Sequence, residues 1–116
     1  MNQRAWQATR GASATSFGPR AYLFADPSNY FYVGAATPDG LTLYLSGADD
    51  VHVVSRSFSA VPVVDAPQPV AVLGSPGKIT NAVWLSQDDC LIYLVSNRGG
   101  PGTIGGADIF MARRAP

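Results

Sequence analysis

The sequence predicts an all-β chain, and three observations predict it. Glycine and proline are spread along its whole length, 12 and 9 of 116 residues. Short runs of Val, Tyr, Phe, Leu and Thr alternate with turn residues, the pattern of strands on a half-buried pleated surface. No segment carries a sustained apolar stripe at the i, i+3, i+4, i+7 spacing of a helix.

Taken in order, residues 4–9 read as a short strand with Trp6 on one face, and residues 10–19 as a loop of small residues ending in Phe17-Gly18-Pro19. Residues 20–24 are a second strand. Asp26-Pro27-Ser28-Asn29 is a turn, because Pro presets φ and Asp and Asn bond back to the backbone. Residues 30–35 are apolar on both faces, which predicts an inner strand covered on two sides. Thr37-Pro38-Asp39-Gly40 is a tight turn leading into a strand at 41–46, and Gly47-Ala48-Asp49-Asp50 turns the chain into another at 51–56. Residues 57–68 read as an irregular connection and 69–73 as an outer strand, since Pro69 is tolerated at an edge. Gly74-Ser75-Pro76-Gly77 breaks that strand, and Thr80–Leu85 is a second inner strand carrying Trp84. The chain then runs through a turn at Asp88-Asp89, a strand ending at Ser96, a Gly-rich loop and a last strand from Asp108.

Charge narrows the function classes. Eight basic residues balance eight acidic ones, so the even charge argues against a phosphate-tracking nucleic-acid binder or a polybasic membrane-surface protein. No run approaches the ~18 apolar residues of a spanning helix, so membrane insertion is not expected. Met1 to Trp6 lacks the apolar core of a secretory signal. With the single Cys90, no internal disulfide can form.

A unit recurs. Leu43-Tyr44-Leu45 and Ile92-Tyr93-Leu94 are 49 positions apart, and at that offset Thr37 meets Ser86, Asp39 meets Asp88 and Gly40 meets Asp89. Asp50 to Arg56 aligns with Asp108 to Arg114, and Ala5 to Arg10 aligns with Val51 to Arg56. A period of about 45–50 residues with some four strands per unit is the pattern of propeller blades, each completing its core by stacking on a neighbour.

On these residues the chain resembles the WD40-like β-propeller repeats of the TolB type. Thr37-Pro38-Asp39-Gly40, Leu43-Tyr44-Leu45-Ser46, Asn97-Arg98-Gly99-Gly100, Gly105-Gly106 and Asp108-Ile109-Phe110 match that family's blade. Trp84 matches the aromatic before the turn. The second turn departs at Gln87 and Asp89, where the family has Pro and Gly, and is expected to differ in geometry. The first unit lacks the Gly-rich loop. The resemblance implies a partial propeller of about two four-stranded antiparallel blades over residues 1–116: residues 4–24 end one blade, 30–73 form a complete one, and 80–114 supply three strands of the next.

No constellation predicts catalysis. Gly100-Pro101-Gly102-Thr103-Ile104-Gly105 fits the dinucleotide-binding spacing, but the 11 residues after it do not hold the helix, strand and acidic residue that such a site needs. Gly74 to Thr80 lacks the glycine spacing of a phosphate loop, and Pro76 removes an N–H that such a loop uses. The lone His52 aligns with Trp6 and Phe110, which predicts packing, and one His and one Cys do not make a zinc site. Asp39, Gly40, Asp88 and Asp89 are expected to build turns, and Asp49, Asp50 and Asp108 likewise sit at turns without the spaced oxygens of a calcium loop. Arg10, Arg56 and Arg113 are read as recurring strand ends facing solvent, and Cys90 as a small buried hydrophobe. Trp6, Tyr44, Trp84 and Tyr93 are read as core. The 97–107 loop, with Asn97, Arg98, Thr103 and Asp108, is the candidate binding loop.

The expectation is a non-enzymatic binding or scaffolding module, with no cofactor and no metal. The resemblance implies an exported bacterial protein, periplasmic or secreted, whose partner is a protein or a component of the cell envelope. Its ring would be completed by the remainder of a longer chain or by further copies of itself. Two alternatives stand beside it: a regulatory propeller segment of a larger peptidase-type hydrolase, and a homo-oligomeric lectin-like propeller.

Overall fold

The computed structural model describes residues 5–26, 31–47, 50–58 and 61–115. Strands β1 (Trp6–Gln7) and β2 (Ala21–Tyr22) form a two-stranded sheet. Strands β3 (Tyr32–Ala36), β4 (Thr42–Gly47), β5 (Asp50–Ser55) and β6 (Gln68–Pro69) form a second sheet in that order. Strands β7 (Thr80–Leu85), β8 (Leu91–Ser96) and β9 (Asp108–Arg113) form a third. All pairings within these sheets are antiparallel. The chain is all-β, with a 3-10 turn at Ala71–Leu73 as the one helical element among the described residues. Those residues form no closed barrel or ring.

The second and third sheets share a register. Leu43 pairs with Val54 and Leu45 with His52; in the third sheet Ile92 pairs with Ala112 and Leu94 with Phe110. Each sheet carries a register shift in its first strand pair, between Val33 and Ala35 in one and between Ala82 and Trp84 in the other. The extra residue in each case lets β3 and β7 bend.

Alternation along the strands sorts the side chains into two cores. Leu43, Leu45 and Val54 on one face of the second sheet pack with Leu23, Phe24 and Val63. On the opposite face, Val51 and Tyr44 pack with Leu73, Ala82, Ile92, Leu94 and Phe110. The second sheet thus has a core on each of its faces. Each buried aliphatic side chain contributes about 1.5–3 kcal/mol relative to exposure, so the third sheet is held to the second by this core and not by strand pairing alone. At the start of the sheets, β3 lies against β7, where a Cβ on Gly34 would overlap the Ala82 carbonyl. The Ser46 hydroxyl accepts the Ala82 N–H across this junction at 3.1 Å.

Several sequence expectations are corrected. The outer strand at 69–73 is only Gln68–Pro69, and the chain then winds into the 3-10 turn. That winding drives Leu73 into the core between the second and third sheets, which a continued edge strand would not do. The connection 57–68 is not wholly irregular: Val63 makes a parallel bridge with Phe24, donating to the Leu23 carbonyl at 2.7 Å and accepting from Ala25 at 2.8 Å. The second strand is shorter than expected because the chain at Leu23 and Phe24 turns to this bridge. The inner strands are not covered on both sides, since Val33, Val83 and Trp84 are exposed. Trp6 is also exposed, stacked on Tyr22 at 4.0 Å between ring centroids, so neither tryptophan is core. Cys90 is exposed rather than buried. The expected turn at Asp26–Asn29 and the residues Ala48 and Asp49 fall largely or wholly outside the described residues.

Candidate functional site: the 97–107 loop and the inter-sheet cleft

The loop between β8 and β9 ties its polar groups to its own backbone and to the neighbouring chain. The Asn97 Oδ1 accepts the Ile79 N–H at 2.8 Å. The half-buried Arg98 guanidinium donates to the Leu73 carbonyl, to Thr80 Oγ1 at 2.9 Å and to Ser96 Oγ at 3.1 Å, and lies 5.3 Å from the Phe110 ring centre. It is a clamp joining the 3-10 turn to the third sheet, with its charge satisfied by fixed oxygens and an aromatic face. The Thr103 hydroxyl donates to the Gly100 carbonyl at 2.8 Å. An Asp108 carboxylate oxygen accepts the Ile104 N–H at 3.2 Å and closes the loop. Asn97, Arg98, Thr103 and Asp108 therefore shape the loop. What the loop presents outward is Ile104, 85% exposed. Ile104 carries no polar group, and so does not stand out in the sequence as a contact. The sequence cue is a lone β-branched apolar residue among glycines.

The two hairpin turns are built alike. Thr37 Oγ1 donates to Asp39 Oδ1 at 2.6 Å, and that oxygen accepts the Leu41 N–H at 2.9 Å. Ser86 Oγ donates to Asp88 Oδ1 at 2.6 Å, which accepts the Cys90 N–H at 3.1 Å. The Thr37 and Ser86 hydroxyls in turn accept the N–H groups of Thr42 and Leu91. These bonds favour the carboxylates, so the side-chain hydroxyl first and the backbone N–H second hold Asp39 and Asp88 below the ordinary carboxyl range. Gly40 sits at φ 70° and Asp89 at φ 57°. The second turn thus keeps the geometry of the first despite Gln87 and Asp89, correcting the expected difference. Asp tolerates the left-handed region better than most side chains, which is what permits the exchange.

The turn arginines also differ from expectation. Arg56 N–H donates to the Leu41 carbonyl as Arg114 N–H donates to that of Cys90, so Arg56 corresponds to Arg114, as the alignment of Asp50–Arg56 with Asp108–Arg114 has it, and not to Arg113. Arg56 is half-buried, not a solvent-facing strand end. Its guanidinium donates to the Gly40 carbonyl at 2.9 Å, to the Gln7 side chain and to the Val61 carbonyl at 3.2 Å. Arg114 instead pairs with Asp89 at 2.8 Å and reaches the Tyr44 hydroxyl of the second sheet at 3.4 Å.

That last contact stands at the mouth of a cleft of about 240 Å³ between the second and third sheets. Tyr44, Val70, Leu73, Leu85, Ile92 and Ala112 supply apolar wall, and Asp89, Cys90 and Arg114 edge it. His52 is remote in role: it packs on Phe31 at 4.7 Å and its Nδ1 lies 3.2 Å from the Asp50 carbonyl oxygen. Among the described residues no three His, Cys, Asp or Glu side chains gather as a metal site, and no helix is long and apolar enough to cross a membrane. No protein-family model, curated protein or solved structure matches the chain.

Proposed function

We propose that this chain is a segment of a WD40-like β-propeller that serves as a non-catalytic interaction module of an exported bacterial protein. The observation that carries the reading is the common build of the second and third sheets. They share strand order, register, bulge position and turn hydrogen bonds, and they stack face to face with their first strands in contact at Gly34 and Ala82. Units of this kind gain stability by stacking, which leaves the connecting loops free to vary and to bind. The 97–107 loop supports a binding role, because its polar side chains are spent on its own shape while Ile104 stands out as an apolar anchor. The partner is a protein or envelope component that offers an apolar pocket to that anchor.

The reading is tested by immobilising the chain and measuring saturable retention of bacterial envelope proteins. A discrete partner is retained, and Ile104→Asp weakens its retention at least about tenfold, the scale of one lost anchor. Gly11→Ala, a change into open space, leaves retention unchanged. Retention indifferent to Ile104 would remove the loop from the function.

A further inference from the structure

The two cores of the second sheet are built from corresponding residues. Beyond β2, the Leu23 N–H donates to the Ala5 carbonyl at 3.0 Å; beyond β6, the Val70 N–H donates to that of Val51 at 2.9 Å. Ala5 and Val51 align in the repeat, so Val70 is the counterpart of Leu23. Leu43 and Val54 pair across the second sheet as Ile92 and Ala112 pair across the third. Leu23, Leu43 and Val54 thus stand in one core where Val70, Ile92 and Ala112 stand in the other.

What differs is the chain laid against them. In the core with Leu23, an extended segment lies beside the bridge to Phe24, and its Val63, 1% exposed, packs among Leu23, Leu43 and Val54. The Arg56 guanidinium steadies that segment by donating to the Val61 carbonyl at 3.2 Å, two residues before Val63. In the other core, the Val70 carbonyl accepts the Leu73 N–H at 2.9 Å within the 3-10 turn, and Val70, Ile92 and Ala112 line the cleft of about 240 Å³. Arg114, the counterpart of Arg56, stands at its rim with a 59% exposed side chain. The cleft is therefore the counterpart of the place that Val63 takes, with the matching arginine beside it.

We propose that this cleft receives an extended peptide segment of a partner polypeptide. A branched aliphatic side chain fills the cleft as Val63 fills the other core, and the carbonyl two residues earlier meets Arg114. The occupant follows from continuity with an interface that this chain already builds from the corresponding residues. The walls call for an apolar side chain, and the one carboxylate at the rim, Asp89, is already paired with Arg114 at 2.8 Å. The guanidinium has donors to spare beyond that pair, since it carries five N–H groups. Recognition of an extended peptide by one side-chain pocket and a fixed main-chain contact is a common division of labour: the pocket selects and the main-chain bond sets the direction. The cleft is distinct from the Ile104 loop, which does not line it.

The test titrates the whole 116-residue chain, under reducing conditions because Cys90 is exposed, and follows its backbone amides by NMR. The probe is the chain's own segment as a capped peptide, Val61-Pro62-Val63-Val64-Asp65-Ala66. Saturable shifts by about 1 mM peptide are expected at Val70, Leu73, Ile92 and Ala112. The same peptide with Val63→Asp should bind at least about tenfold more weakly. In the protein, Ala112→Leu fills the cleft and should abolish the shifts, with circular dichroism confirming the fold. Arg114→Ala, at an exposed position, keeps the test open if Ala112→Leu does not fold, and should weaken binding about threefold. Absence of saturable shifts overturns the proposal, as do shifts at Leu23, Leu43 and Val54 instead, or equal binding of the Val63→Asp peptide. Isobutanol that shifts the same amides as strongly as the peptide does would make the cleft a small-molecule pocket, and would overturn it too.

Discussion

Gly34 lies directly against the backbone of Ala82, so that a methyl group at position 34 would overlap the Ala82 carbonyl oxygen and carbon. This contact joins the first strands of two successive sheets and fixes how closely they approach. The obstacle is backbone, which cannot swing aside as a side chain can. Gly34→Ala should therefore force the sheets apart and lower unfolding free energy by about 1–3 kcal/mol, the range for overpacking a tight junction. Urea denaturation reads this directly. Gly99→Ala, placed where nothing lies within reach of a Cβ, serves as the reference and should change stability little.

Asp89 holds a left-handed backbone that Gly40 holds in the preceding turn. Its Oδ2 pairs with Arg114, whose side chain is 59% exposed, and its Oδ1 is buried without a hydrogen-bond partner. An exposed pair of this kind is worth about 0–1 kcal/mol. The left-handed conformation costs a residue with a Cβ about 1–2 kcal/mol. Asp89→Gly should thus be nearly neutral, while Asp89→Ala keeps the backbone cost and loses the pair. We expect the glycine variant to be more stable than the alanine variant by about 1 kcal/mol. Equal stability of the two would mean that the turn has relaxed out of its left-handed geometry.

Asp39 and Asp88 give the fold an acid limb. Both carboxyls titrate below the ordinary value of 3.8, held there by Thr37 and Ser86 first and by the Leu41 and Cys90 N–H groups second. The folded state therefore binds fewer protons than the unfolded chain. The stabilisation is complete above the unfolded value and is lost as pH falls through the folded one. Melting temperature measured from about pH 6 down to about pH 2 should fall most steeply below the ordinary carboxyl range. A Thr37→Ala/Ser86→Ala double variant should show a flatter fall, whatever its stability at neutral pH. An unchanged slope would assign the acid sensitivity to other carboxylates.

Arg98 is a structural clamp rather than a solvent-facing contact. Bonds from a charged donor contribute about 1.5–3 kcal/mol, and Arg98→Ala leaves the Leu73 carbonyl without its guanidinium donor. A loss of about 2–3 kcal/mol is expected, with faster amide exchange at the start of β7. Arg98→Lys should restore less than half, because an ammonium cannot fork to three acceptors and stack on Phe110 at once. Unaltered stability in Arg98→Ala would return this residue to the loop's outward face.

The all-β class was legible in the residues because the strands are short β-branched and aromatic runs and each turn carries its own chemistry. Thr37, Asp39, Ser86 and Asp88 show this well, since their hydrogen bonds reach no further than five residues along the chain. The candidate site was less legible. Arg98 has the composition of a binding residue, yet its partners Leu73 and Thr80 are 25 and 18 positions away, a placement that the pairing of β7 with β8 and the fold of the 3-10 turn bring about. Cys90 lies before an apolar strand and reads as buried, but the turn leaves it at the surface.

Local chemistry alone determines that Trp84 and Val51 lie on strands with alternating faces. It does not determine which alternate face finds a neighbour. Val51 is sealed by the third sheet, while Ile109 at the same register position faces outward, although both are β-branched and apolar. Burial at these positions depends on contacts between sheets far apart along the chain. Strand pattern sets what each face is, and the stacking of the sheets sets whether it becomes core or surface.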